Sequence, residues 1–149
     1  MRSTMILAGT TVAGFLAVGV LAAAPASAET IHYKATVLPA SEVPPVTNSQ
    51  GKGEVAATYD TDTHVLSYGV TYSGLTGPAT AAHFHGPAPV GKNAGVMVPL
   101  TGDLASPIKG EAKLTDAQAK ALTDGDMYFN IHTAANKGGE MRGQLVKAM

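Results

Sequence analysis

The chain contains 149 residues, with 10 Lys and Arg against 11 Asp and Glu, which gives a formal net charge of −1, and it has no cysteine. The near-neutral charge excludes a protein that binds nucleic acids through a basic surface. The absence of cysteine excludes thiolate catalysis, iron–sulfur clusters and cysteine zinc sites, so any metal would need imidazole, oxygen or thioether ligands.

Residues 1–28 have the pattern of a cleaved signal peptide. Arg2 gives the segment a positive start, residues 5–24 are almost wholly apolar, and the small-residue cleavage sequence ASA follows at residues 26–28. A permanent membrane anchor is the alternative, since a spanning helix needs roughly 20 apolar residues, but the cleavage sequence favours removal. The mature domain is then residues 29–149, a suitable length for one domain, and we expect it to be secreted or periplasmic without a membrane attachment.

Alternation of apolar and polar residues predicts three strands in the first half of this domain. Residues 30–38, 53–59 and 65–73 each place apolar side chains at every second position, which is the pattern of a strand with one buried face. The polar sequence DTDT at residues 60–63 separates the second strand from the third. This short connection predicts a hairpin.

The second half is predicted to contain more short strands and one helix. The helix begins after Thr115, which forms a capping-box pair with Gln118, and it ends at residues 124–125. The whole is predicted to be an all-β protein, an antiparallel β-sandwich or flattened barrel of about eight short strands with one short helix. The strands of this half are residues 80–85, 96–100, 108–114, 127–133 and 139–147.

Two histidine motifs give the strongest functional signal. The sequence AHFHG at residues 82–86 lies on a predicted strand, so His83 and His85 project from the same face. The sequence NIHT at residues 130–133 lies on another strand, and His132 would provide a third ligand if the two strands are neighbours. Three imidazoles suit copper or zinc. The alternative is that these histidines are buried polar residues hydrogen-bonded to neighbouring strands.

Other residues are candidates for the same region. Asn130 shares a strand face with His132, and we expect Arg142 beside them, so both are predicted to support the metal ligands. Glu140 and Arg142 share a face of the last strand, where the favoured interpretation is a partly buried ion pair that fixes this strand, either between the two or with a charge across the sheet. Copper would also accept a thioether ligand, for which the candidates are Met97, Met127 and Met141.

Several separated motifs resemble the CHRD domain, the module repeated in chordin and found singly in many bacterial exported proteins. The resemblance covers about residues 31–147, with the motifs in the order of the family. It implies the architecture of that family, in which chordin as a whole binds extracellular growth factors. It assigns no activity, since a family match does not carry function by itself. The motifs are LPASEVPPV at 38–46, GKG at 51–53, AAHFHG at 81–86, LT at 114–115, GDMYFNIHT at 125–133 and GGEMRGQL at 138–145.

No catalytic motif is recognisable, because the chain has no serine in a nucleophile-elbow context and no glycine-rich phosphate loop. We therefore expect a non-catalytic protein that binds copper or zinc through its histidines. The alternative is an extracytoplasmic protein-interaction domain that uses the Gly/Pro-rich loop at residues 86–95 and has structural histidines. A more distant alternative is a metal redox enzyme, since the H-x-H strand is similar to one strand of the copper/zinc superoxide dismutases.

Overall fold

The computed structural model describes residues 28–149, so the predicted signal peptide, residues 1–28, lies outside the described residues except for Ala28. The single α-helix of the described chain, α1, spans Asp116–Asp124, and a short 3-10 helix, Pro39–Ser41, follows the first strand. The strands are β1 (Thr30–Val37), β2 (Lys52–Asp60), β3 (Val65–Ser73), β4 (Ala79–His85), β5 (Val96–Pro99), β6 (Ile108–Lys113), β7 (Tyr128–Thr133), β8 (Met141–Gln144) and β9 (Val146–Lys147).

The strands form two antiparallel sheets whose apolar faces share one core. One sheet has five strands in the order β6-β3-β2-β1-β9, and the other has four in the order β5-β4-β7-β8. Within residues 28–149 neither sheet closes on itself, so the fold is a β-sandwich and not a barrel. The prediction of an all-β protein with one helix is confirmed.

Strand alternation determines which side chains enter the core. In β4, Ala82 and Phe84 are fully buried between the sheets, and in β7 the same is true of Phe129 and Ile131. Because successive side chains of a strand point to opposite faces, the remaining side chains of β4 and β7 project from the outer face of the four-stranded sheet. The histidine motifs therefore lie on that outer face.

The helix forms where the sequence predicts it. The Thr115 hydroxyl accepts a hydrogen bond from the Gln118 backbone N–H, and the Gln118 side chain accepts one from the Thr115 N–H, so the capping box is complete. Gly125 ends the helix in the left-handed conformation, with φ 82°. Within residues 28–149 no helix has the length and hydropathy to cross a bilayer.

The C-terminal segment differs from its prediction. A single strand was expected over residues 139–147, but β8 pairs with β7 in one sheet and β9 pairs with β1 in the other. The fully buried Leu145 lies where the chain passes from one sheet to the other, and its backbone N–H donates a hydrogen bond to the Met127 carbonyl. Alternation continues through the crossing because both sheets face the same core, so the pattern alone did not reveal the change of partner.

Candidate functional site

The register of β4 against β7 brings the two histidine motifs together. Ala81 lies opposite His132 and His83 lies opposite Asn130, so the polar residues of both strands occupy one patch of the outer face. The two strands are the central pair of the four-stranded sheet, which fixes their relative positions on both sides. The condition that the sequence left open, that these strands be neighbours, is met.

The three histidines form one compact cluster. One ring nitrogen from each of His83, His85 and His132 can be chosen so that all three lie within 4.8 Å of one another. The Nδ1 atom of His83 is 3.1 Å from the Nε2 atom of His132, and the centroids of these two rings are 4.9 Å apart. The cluster has the composition and proximity that a metal ion needs.

Backbone carbonyls determine the tautomers of two of these rings. His85 Nδ1 lies 3.0 Å from the carbonyl oxygen of Ala94, and His132 Nδ1 lies 2.9 Å from that of Lys137. A carbonyl oxygen only accepts hydrogen bonds, so both Nδ1 atoms carry hydrogen. In each neutral ring the Nε2 atom is then left with a free lone pair.

Both of these Nε2 atoms point at the same side chain. Asn130 Oδ1 is 2.9 Å from Nε2 of His85 and 3.0 Å from Nε2 of His132. Asn130 is buried, and it comes from the central strand β7, so its position is restricted by the sheet. The structure thus places Asn130 in direct contact with two candidate ligands.

The surroundings favour the neutral imidazoles that a metal requires. Burial lowers the pKa of His83, and the neighbouring His132 and His85 lower it further. Burial also lowers the pKa of His85, although its hydrogen bonds to Ala94 and Asn130 act in the opposite direction. At neutral pH these rings therefore offer lone pairs more readily than an exposed histidine does.

Tyr128 contacts His85 through its ring and the loop at residues 86–95 through its hydroxyl. The two rings are stacked, with centroids 4.9 Å apart and an interplanar angle of 3°. The Tyr128 hydroxyl accepts the backbone N–H of Ala94 and donates to the Ala94 carbonyl. Tyr128 thus positions both the imidazole and the carbonyl that orients it.

The hydrogen bonds of Arg142 go to the loop at residues 86–95, and among the described residues none goes to a histidine. Its guanidinium lies over the Tyr128 ring, 3.4 Å from the centroid, and it donates hydrogen bonds to the Asn93 side chain and to the Lys92 carbonyl. Within residues 28–149 neither Arg142 nor Glu140 forms an ion pair, so the interpretation as an ion pair is wrong. Glu140 is instead hydrogen-bonded to Ser49, Thr76, Thr133 and Asn136.

Glu140 is the centre of a buried hydrogen-bond cluster that the sequence analysis missed. It accepts hydrogen bonds from the hydroxyls of Ser49, Thr76 and Thr133, from the Thr76 backbone N–H and from the Asn136 amide. Burial by itself would raise the pKa of Glu140, but these donors outweigh it and lower the pKa to about 2. The fully buried carboxylate joins the segments around Ser49 and Thr76 to the end of β7 and the turn before β8, which contain Thr133 and Asn136.

The loop at residues 86–95 folds back over the outer face. Gln144 donates a hydrogen bond to the Ala88 carbonyl, and Asn93 donates one to the Val43 carbonyl, so the loop is fastened at both ends. Its tip remains in solvent, where Val90 is 78% exposed. At the base of the loop, by contrast, Ala88 is buried.

Other candidates stay apart from the cluster. His64 lies 3.5 Å from Asp116 at the start of the helix, and His32 is an exposed residue on the five-stranded sheet. Met127 and Met141 are buried in the core, on the opposite face of their sheet from the histidines, and Met97 is partly buried and packs against that core. Within residues 28–149 the metal-compatible group contains no carboxylate, so the similarity to the dismutases remains limited to one strand.

Comparisons with known proteins place these features in a family. A model of the CHRD domain matches residues 33–145, which is most of the chain and includes all three histidines. The matched region also contains Asn130, Glu140 and Arg142. No curated protein and no solved structure matched the chain.

Proposed function

From the premise that this chain belongs to the CHRD domain family, we propose that it is an exported, non-catalytic binding domain that holds one copper or zinc ion through His83, His85 and His132. The family premise supports a role in binding. The histidine cluster supports the nature of the ligand. Asn130 and Arg142 complete the proposed site, the first beside the ligands and the second by fastening the loop that orients His85.

One observation carries the proposal. The two rings whose Nε2 atoms converge both give their Nδ1 hydrogen to a backbone carbonyl, of Ala94 for His85 and of Lys137 for His132. Metal-binding histidines nearly always donate their other ring N–H to such an acceptor, which fixes the tautomer and the ring orientation. A histidine that serves only to satisfy core polar groups has no need to leave its remaining lone pair facing another.

The spacing of the ligand atoms agrees with this interpretation. Zinc–nitrogen bonds of about 2.0 to 2.1 Å in a tetrahedral site place neighbouring ligand atoms roughly 3.3 Å apart. His83 Nδ1 and His132 Nε2 are 3.1 Å apart. A shift of a few tenths of an ångström, on the order of what a side-chain rotation supplies, would admit an ion between them.

The test is calorimetric titration of the metal-free protein with Cu(II) and with Zn(II). The wild type should bind one ion, and the His83→Ala/His85→Ala variant should lose that binding while its circular dichroism shows the fold retained. The His32→Ala variant is the matched control, because His32 is exposed and lies on the other sheet. Absence of binding by the wild type would overturn the proposal.

We also propose that the domain acts outside the cytoplasm. This rests on the signal-peptide pattern of residues 1–28 and on the family membership. N-terminal sequencing of protein recovered from the medium or the periplasm should start at Glu29. Recovery of uncleaved protein from the membrane fraction would contradict this location.

A second candidate function is favoured by the loop tip. Val90 is exposed on a loop whose base is fastened by polar contacts, an arrangement that presents an apolar side chain on a restrained backbone. If the domain binds a protein partner through this loop, Val90→Asp should abolish capture of that partner and leave metal titration unchanged. Equal capture by wild type and Val90→Asp would remove this candidate.

A further inference from the structure

We propose that Asn130 is a direct metal ligand through Oδ1, which makes the site three nitrogens and one oxygen and selects a divalent ion, Zn(II) or Cu(II), over Cu(I). This inference rests on the proposed function, because it concerns the same cluster. It adds a fourth ligand that histidine motifs alone do not indicate.

Too few hydrogen atoms are present at the centre of the cluster for its short contacts to be hydrogen bonds. The Nδ1 hydrogens of His85 and His132 are donated to carbonyls, so both Nε2 atoms are acceptors in the neutral rings. Asn130 Oδ1 is also an acceptor, and it lies 2.9 and 3.0 Å from these two nitrogens. Three acceptors therefore meet at hydrogen-bonding distance with no hydrogen between Oδ1 and either nitrogen.

His83 resolves only part of this conflict. A hydrogen on its Nδ1 would satisfy Nε2 of His132, 3.1 Å away, but would leave His85 and Asn130 facing each other. Supplying the missing hydrogen from His85 itself would need both of its ring nitrogens protonated, since its Nδ1 hydrogen is already donated to the Ala94 carbonyl. A cation at the centre makes all these contacts favourable at once, since every atom that faces it carries a lone pair.

The surroundings of the amide hold Oδ1 toward the histidines. On its other side Asn130 faces Glu42, a carboxyl that is only 5% exposed and whose Oε1 has no hydrogen-bond partner within the described residues. Both groups border Gly139, where a Cβ would come within 2.8 Å of Asn130 Nδ2 and would also clash with Glu42 Oε1. On that side Nδ2 faces the acceptor oxygens of Glu42, and this contact favours keeping Oδ1 toward the histidines.

The donor set then indicates the kind of ion. Imidazole nitrogen suits zinc and copper, and a carbonyl-type oxygen is a hard ligand that Cu(I) does not prefer. Cu(I) favours soft thioether ligands, but Met127 and Met141 are buried in the core and Met97 packs against that core from β5. A site of three imidazoles and one amide oxygen therefore fits a divalent ion.

Pulsed electron paramagnetic resonance of the Cu(II)-loaded protein, recorded in H2O and in D2O, tests this assignment. Water bound to copper gives exchangeable proton couplings, whereas an amide oxygen gives none. We expect Asn130→Ala to gain one exchangeable water ligand relative to the wild type and to bind Zn(II) more weakly. Asn130→Asp should retain the wild-type water count, because its carboxylate supplies an oxygen at the same place. Asn48→Ala, at an exposed position, is the control and should match the wild type.

The outcomes separate this inference from the function on which it rests. Nitrogen couplings in the wild type with the same water count in Asn130→Ala would overturn the fourth ligand and leave the histidine site intact. Wild-type binding of Cu(I) tighter than that of both divalent ions would overturn the selectivity. A wild-type spectrum of unbound copper would overturn the proposed function itself. Circular dichroism of each variant excludes unfolding as the cause of a change.

Discussion

The imidazole of His85 and the ring of Tyr128 lie almost parallel, at an interplanar angle of 3°. This stacking holds the imidazole plane, so that Nδ1 meets the Ala94 carbonyl while Nε2 meets Asn130. The same Tyr128 hydroxyl bonds to Ala94. One aromatic side chain thus determines both the orientation of a candidate ligand and the position of the group that orients it.

Replacing Tyr128 should weaken metal binding without removing a ligand. Tyr128→Leu abolishes both the stacking and the hydroxyl contacts, and we expect about a 10-fold loss of affinity, the range seen when groups that support metal ligands are removed. Tyr128→Phe keeps the ring and should lose less. Zn(II) titration calorimetry on the three proteins measures this order, and equal affinities for all three would show that the stacking has no role.

Metal binding should stabilise the fold. A ligand that binds only the folded state adds about 2.7 kcal/mol at a free concentration 100 times its Kd. For a domain of this size that corresponds to a rise in Tm of roughly 10 °C. Differential scanning calorimetry with and without Zn(II) should show this rise for the wild type and His32→Ala, and none for His83→Ala/His85→Ala. A similar rise in the double variant would place the ion elsewhere.

The metal-free protein should lose stability as the pH falls below about 6.5. Burial lowers the pKa of His83 and of His85 in the folded state, so the unfolded chain takes up protons first as the pH drops. The contribution of these two neutral imidazoles to stability is therefore fully present above pH 6.5, the pKa of histidine in the unfolded chain. It is lost as the pH falls through their lower pKa values in the folded state. Urea midpoints measured from pH 8 to pH 5 should fall for the wild type and fall less for His83→Gln/His85→Gln. Parallel curves would contradict this origin.

Glu42 should give a dependence of the opposite sign. Burial raises its pKa above 4.5, although the Val43 backbone, Arg142 and Asn130 act in the other direction. The folded state then holds a proton that the unfolded chain has released, so this contribution is present below 4.5 and is lost as the pH rises through the folded value. Glu42→Gln keeps the shape of the side chain without the charge. Its stability relative to the wild type should therefore be higher at pH 8 than at pH 4. A difference in stability that does not change with pH would contradict the raised value.

Loss of the Glu140 carboxylate should be among the more damaging single changes. Glu140→Gln replaces one acceptor oxygen by a donor that faces the hydroxyls and N–H groups already pointing at it, and we expect a loss of about 2 to 4 kcal/mol in the free energy of unfolding. Lys120→Gln is a suitable control, because Lys120 forms only an exposed pair with Asp124. Urea unfolding measures the free energy of unfolding of both variants. A loss in Glu140→Gln no larger than the loss in Lys120→Gln would show that the cluster does not stabilise the fold.

The sequence predicted which side chains share a face of each strand. It did not predict as well which strands pair with one another. The period of two in residues 80–85 placed His83 and His85 together because strand geometry is local. The placement of His132 depended on which strands pair, and that is decided by the core. The prediction of one strand over residues 139–147 was wrong for the same reason. Alternation indicates which face of a strand is buried, but it does not indicate the sheet in which the strand pairs.

The parts of the site that the sequence did not indicate depend on single backbone contacts. The carbonyls of Ala94 and Lys137 orient two imidazoles. Because every residue has a backbone carbonyl, residue type does not indicate such a contact. Glu42 lies in a proline-rich stretch and Glu140 was assigned to the wrong partner, because only the folded chain shows that Ser49 and Thr76 surround it. Asn130 was expected beside the ligands, and its contact with two of them became visible only in the structure.

The Glu140 cluster has a practical consequence for a chain without cysteine. It fastens the segments around Ser49, Thr76, Thr133 and Asn136 to one point, a task that disulfides perform in many small exported domains. A cross-link made of hydrogen bonds to a carboxylate is insensitive to thiol–disulfide exchange. The fold should therefore form without an oxidant or a disulfide isomerase, and its unfolding curve should be the same in the presence and absence of dithiothreitol.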